Sequence, residues 1–110
     1  MALPLYVALA TDCGCFAYNN TTARTHAVAA ALLQTGIDFQ TVNKTFFRTK
    51  SRKRLALEAA MLGGVEYHDH ERVAVLSVPL SLISQVQATE TDAEDLSALG
   101  GQIQGVDCAV

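Results

Sequence analysis

The stretch Thr11-Asp12-Cys13-Gly14-Cys15-Phe16 holds the residue types best suited to chemistry. A carboxylate at the end of an apolar run, followed closely by Gly, presents a short, hard oxygen ligand to a metal or sits beside a phosphate. Asp-x-Gly also occurs in countless ordinary turns, and on spacing alone the plain turn is the favoured reading. Cys13-x-Cys15, with His26 nearby and Cys108 as the remaining thiol, is a possible soft-metal pair. A closed zinc site needs four ligands, however. His68-Asp69-His70-Glu71 offers metal-ligand types in a row, but alternate side chains of a hairpin point to opposite faces, and the acids with Arg72 suit a solvated turn. There is no G-x-S-x-G elbow, P-loop or Rossmann glycine fingerprint.

The elements that would position these residues follow from caps and periodicity. Ala2–Ala10 is apolar throughout and reads equally as a buried helix or a buried strand. Asp12–Asn20 is a loop. Thr21 or Thr22 caps a helix whose apolar positions are Val28, Leu32 and Leu33, and Gly36 ends it. A short helix after Asp38 is predicted to bury Val42 and Phe46. Ser51 caps a further helix with Leu55, Ala59 and Leu62 at helical spacing, stopped by Gly63-Gly64. Val65–His68 and Arg72–Val78 read as strands around the turn Asp69–Glu71, and Pro79 closes the second. Leu82, Ile83 and Val86 suggest a short helix. Thr91-Asp92-Ala93-Glu94 reads as a capping box for a helix burying Leu96, Leu99 and Ile103, and Val106–Val110 as a last strand. The predicted class is α/β, or α+β within this chain: helix-rich to about residue 62, then β-β-α-α-β.

Of 110 residues, 50% are hydrophobic and 17% charged, against about 25% charged in a typical soluble domain. Disorder is therefore excluded. The longest apolar runs, Ala2–Ala10 and Ala27–Leu33, fall short of the roughly 18 residues a membrane helix needs. A chain this lean in charge is predicted to bury surface against more protein, most simply as a homo-oligomer. Ala8-Leu9-Ala10 imitates a signal-peptide cleavage site, but no basic segment precedes it, and three cysteines without repeated spacing form no disulfide framework. A cytoplasmic protein with reduced thiols is expected.

Charge is unevenly distributed. Residues 1–57 carry seven bases and two acids; residues 58–110 carry one base, Arg72, and nine acids. Five of the eight bases are Arg48, Lys50, Arg52, Lys53 and Arg54. They are electrostatic candidates for an anionic ligand, or else a solvated helix start.

Leu5-Tyr6-Val7-Ala8-Leu9-Ala10-Thr11-Asp12-Cys13-Gly14-Cys15-Phe16-Ala17-Tyr18-Asn19-Asn20-Thr21-Thr22 resembles the last metal-binding motif of the DHH phosphoesterases, roughly L-Y-x-G-I-x-T-D-T-G-x-F-R-Y-x-N-T-T. The resemblance continues through Ala23-Arg24-Thr25-His26, Ala29-Ala30, Leu32-Leu33 and Gly36. It persists in Ser51-x-x-Arg54-Leu55-x-Leu57, Arg72-Val73-Ala74, Ala88-Thr89-x-x-Asp92 and Gly105-Val106-x-x-Ala109-Val110. The branch it resembles is that of the nanoRNases (oligoribonucleases) and 3′-phosphoadenosine-5′-phosphate phosphatases, related to RecJ-type exonucleases.

The resemblance implies two-metal phosphoester hydrolysis, usually with Mn²⁺, on short oligonucleotide or nucleotide phosphate substrates. It implies that residues 1–50 end a DHH catalytic domain, that 51–64 form a linker helix, and that 65–110 begin a DHHA1 substrate-binding domain. The family's Asp-His-His triplet and its Gly-Gly-Gly-His motif are not among these residues, so only Asp12 transfers as a metal ligand, and the isolated chain is expected to be inactive. Cys13 stands where Thr is usual and Ala17 where Arg is common. Two other classes stand beside the phosphoesterase: a protein-interaction module, and a thiol-based metal-binding domain using Cys13, Cys15 and Cys108.

Overall fold

The computed structural model describes all residues from Met1 to Val110. They fall into two units, Met1–Thr49 and Lys50–Val110.

In the first unit the apolar N-terminal run is a helix, α1 (Ala2–Asp12). Pro4 falls among the first backbone N–H groups of the helix, which lack an intrahelical acceptor anyway, so it does not break the element. Tyr6, Ala10 and Cys13 point inward, each 2% exposed or less, and the Tyr6 hydroxyl donates to Asn43 Oδ1 at 3.1 Å. Thr22 caps α2 (Ala23–Leu33) in a reciprocal box with Thr25. Gly36, at φ +83°, takes the left-handed turn after it at no steric cost. Asp38 caps α3 (Phe39–Asn43), which runs into a π-helical turn, Lys44–Arg48.

Tyr6, Ala10, Ala29 and Val42 form the core of this unit, with Leu32, Ile37 and Phe47 packed against it. Two expectations are corrected. Val28 and Leu33 are exposed while Ala29 is buried: a small side chain lets α2 approach α1, leaving the larger ones outside. Phe46 is also exposed, and Phe47 packs in its place. The π-helical turn is wider than an α-helical one, with i→i+5 bonding, and it brings Phe47 rather than Phe46 round to the core.

In the second unit the Ser51 hydroxyl accepts the Arg54 N–H at 2.9 Å, capping α4 (Arg52–Gly63). Leu57, Glu58 and Met61 are its buried residues, whereas Leu55 and Leu62 are exposed, the reverse of the face predicted. Strands β1 (Glu66–His68) and β2 (Val73–Val75) form the expected hairpin, with Tyr67 opposite Ala74. β3 (Cys108–Ala109) runs parallel to β2, giving the order β1-β2-β3.

A parallel pair needs a long crossover. Here it consists of α5 (Leu80–Gln85), α6 (Glu90–Ala93) and a 3-10 helix, Leu96–Gln102. The core gathers Leu57, Met61 and Leu96 with Leu76, Leu82 and Ile83. The capping box that opens α6 is Thr89 with Asp92, not the predicted Thr91 with Glu94. α6 is short because Glu94 leaves the helical region, at φ −58° and ψ 142°, and the left-handed Asp95 after it opens the 3-10 helix. Leu96 and Leu99 are buried as expected, and Ile103 is half-buried. The chain is thus helix-rich with one small mixed sheet. No helix is long and apolar enough to cross a membrane.

Candidate functional site

Asp12 is the last residue of α1 and is exposed. The chain then folds back in a run of left-handed residues, Gly14, Cys15 and Phe16, with φ between +54° and +69°. Cys15 N–H reaches the Ala10 carbonyl at 2.7 Å, and the N–H groups of Ala17 and Tyr18 both reach the Cys13 carbonyl at 3.1 Å. A Cβ on Gly14 would lie 2.5–2.7 Å from the Tyr18 ring, so the turn requires glycine both for its dihedral and for its space. The buried Cys13 Sγ accepts the Phe16 N–H at 3.3 Å, and the Phe16 ring stacks on His26, centroids 5.0 Å apart.

At the far end of the turn Asn20 Nδ2 donates to the Asp12 carbonyl oxygen at 3.2 Å and to its Oδ2 at 3.3 Å. Thr21 Oγ1 is buried without a hydrogen-bond partner. Thr11 is committed elsewhere, its hydroxyl donating to the Val7 carbonyl at 2.8 Å. The loop therefore holds one carboxylate at the surface, at the helix end where the peptide dipoles concentrate partial negative charge. Asp12 and those dipoles together favour a cation. Nowhere in the chain, however, do three or more His, Cys, Asp or Glu gather to hold a metal ion. Asp12 offers one hard oxygen ligand, and no second and third such residue gather beside it in this chain.

The other sequence candidates lie elsewhere. Cys13 is buried, Cys15 half-buried and Cys108 exposed, all as free thiols. Asp69, His70 and Glu71 form the exposed hairpin turn, and His68 lies 3.8 Å from Glu66 on the same strand.

Within the basic segment, Lys50 and Arg54 both bind Glu58, at 2.9 and 2.8 Å. Arg54 also donates to the carbonyls of Asp92 and Glu94, and Lys53 Nζ donates to the Gln87 carbonyl at 2.7 Å. These bases cap the carbonyl ends of α5 and α6. Burial works to raise the Glu58 carboxyl, but the hydrogen bonds from Arg54 and Lys50 outweigh it and hold the group below its ordinary value. Asp92 is likewise held down, first by the Ser51 hydroxyl at 2.5 Å and then by the Thr89 N–H. Only Arg48 and Arg52 of the five carry no such contact.

Sequence reading missed this network and the Asn20–Asp12 bond. Arg54 and Glu58 do carry a signal, the i,i+4 spacing of a helical ion pair; Asn20 carries none beyond its place in the motif.

No protein-family model matches the chain, and no curated protein matches it. Among solved structures it is similar to the crystal structure of an exopolyphosphatase-related protein from Bacteroides fragilis. The TM-score is 0.79 at 23% sequence identity, covering 89% of this chain and 29% of that one. The likeness is one of fold, and the chain spans under a third of that protein's length.

Proposed function

We propose that these residues belong to a metal-dependent phosphoesterase of the DHH type, in which Asp12 supplies one ligand to a divalent ion, Mn²⁺ by resemblance. The observation that carries this reading is the exposed Asp12 carboxylate, held by Asn20 on a turn that only Gly14 permits, within an ordered motif match. The similar fold of an exopolyphosphatase-related protein supports the broader class. In this reading residues 1–50 close a catalytic domain, 51–64 follow it, and 65–110 open a substrate-binding domain.

Divalent ions, when bound in such enzymes, polarise the phosphoryl group and activate water. The contribution of this chain is positional: the turn fixes where the Asp12 oxygen stands, and Asn20 restricts its rotation. The segment's electrostatic role in attracting an anionic substrate falls to Arg48 and Arg52, because the other three bases serve the fold. Short oligoribonucleotides and 3′-phosphoadenosine-5′-phosphate are the substrates that the sequence motif suggests, while the name of the structural neighbour raises polyphosphate as a second reading. The test is to supply the full-length protein with Mn²⁺ and each of the three in parallel. Release of nucleotide products supports the first reading and release of orthophosphate from polyphosphate the second; no turnover of any of them refutes the class.

A further inference from the structure

Of the eight cationic side chains, most are unsuitable for a protease that cleaves after Lys or Arg. Such an enzyme binds an extended segment with the cation free to enter its specificity pocket. Lys50, Lys53, Arg54 and Arg72 are each held by a carboxylate or carbonyl, Arg72 by Asp107 at 2.7 Å. Arg24 and Arg52 lie in the first turns of α2 and α4, and Lys44 follows directly on α3. Extending any of those three means unwinding a helix.

Arg48 is unpaired and closes its helical turn instead of opening one, so the chain after it is already extended. It is exposed and makes no hydrogen bond or ion pair. It ends a π-helical turn in which Phe47 is half-buried against the core of the first unit and the other residues are exposed. Thr49 after it is extended, at φ −117° and ψ 127°, and Ser51 at φ −67° and ψ 155°. Segments with few buried contacts and exposed backbone open at the lowest local cost. The bond also lies one residue before the start of the second unit, and each unit has its own apolar core.

We propose that the Arg48–Thr49 peptide bond is a processing site for a trypsin-like endoprotease, whose cut leaves one apolar core on each piece. Water adds across the amide: the Arg48 carbonyl carbon takes the hydroxyl and becomes a carboxylate, and the Thr49 nitrogen takes the proton and becomes an ammonium. This proposal stands independently of the phosphoesterase reading.

The test is limited digestion of the 110-residue chain with trypsin, followed by intact mass over time. Pieces 1–48 and 49–110 are expected first, and both should accumulate. Arg48→Gln, which removes no contact, is expected to slow the first cut about tenfold, the ratio that about 1.4 kcal/mol produces, whereas Arg52→Gln leaves it unchanged. A first cut after any other base, an Arg48→Gln chain cut as fast as the parent, or loss of either piece as fast as it forms overturns the proposal.

Discussion

The side-chain amide of Asn20 bridges the carbonyl oxygen and the carboxylate of Asp12, at 3.2 and 3.3 Å, across the turn that begins at Cys13. One amide thereby ties the end of α1 to the residues leading into α2. It also leaves Asp12 Oδ1 without a protein partner. Groups that orient a metal ligand typically contribute 10–100-fold to affinity or activity. Asn20→Ala in the full-length protein is therefore expected to weaken Mn²⁺ dependence, raising the half-saturating metal concentration about tenfold with the melting temperature little changed. Titration of activity with Mn²⁺ beside thermal unfolding separates the two effects; unchanged metal dependence would remove Asn20 from this role.

Gly100 is expected to be intolerant of any side chain. A Cβ there would stand 2.2 Å from the Ala109 Cβ and 2.8 Å from Leu76 Cδ1, at the packing of the 3-10 helix on the sheet. Overpacking of this kind costs about 1–3 kcal/mol. Gly100→Ala should lower the urea midpoint, while Gly101→Ala, which meets nothing within 4 Å, should not.

Glu58 and Asp92 make stability depend on pH. Both carboxyls are held below their ordinary values in the folded chain, so the unfolded chain takes up protons first as acid is added. Their contribution is full at neutral pH, where both states are ionised, and is lost as pH falls below about 4, through the lowered folded values. Urea midpoints at a series of pH values from 7 to 3 should fall with acid. In Glu58→Gln the midpoint at pH 7 should be lower and the acid dependence shallower. An equally steep fall in that variant would deny the Lys50–Glu58–Arg54 cluster this role.

How much of this was legible depended on whether the local signal was unique. Two caps were: Asp38 and Ser51 each precede a helix and accept the expected backbone N–H, while for α2 the sequence offered Thr21 or Thr22 and the structure uses Thr22. Helix faces were less so. α4 carries one stripe through Leu55, Ala59 and Leu62 and another through Leu57 and Met61, and packing chose the second. It could do so because Arg54 and Lys50 neutralise Glu58, which lies on that inner side. The shift from Phe46 to Phe47 follows from a π-helical turn that no periodicity announces. Thr89 with Asp92 and Thr91 with Glu94 share the same box spacing, and the contact of Asp92 with Ser51, 41 positions away, accompanies the choice of Thr89. The Asp12 turn was visible as a motif, but its geometry was not: three successive left-handed residues, two of them not glycine, are held by backbone bonds that spacing cannot show.

Self-association is expected from the apolar side chains left exposed, among them Leu3 and Leu5 on α1 and Val28 on α2. Burial of apolar surface contributes about 25 cal/mol per Å², partly offset by lost rotational and translational freedom, so the affinity should be modest. Sedimentation velocity of the 110-residue chain across micromolar concentrations should show a species heavier than the 11.7 kDa monomer gaining weight with concentration. A single concentration-independent monomer would contradict this.

Asp12→Asn in the full-length protein tests the central claim most directly. Asparagine keeps the size of the side chain and removes its charge, so the turn should survive while the ligand is lost. The measurement is turnover of a dinucleotide, 3′-phosphoadenosine-5′-phosphate and polyphosphate at saturating Mn²⁺, with circular dichroism on the same samples. Removing a ligand should cost more than removing its orienting group, so a loss beyond about 100-fold with an unchanged spectrum is the expected result. Near-normal hydrolysis by Asp12→Asn across metal concentrations would contradict the account.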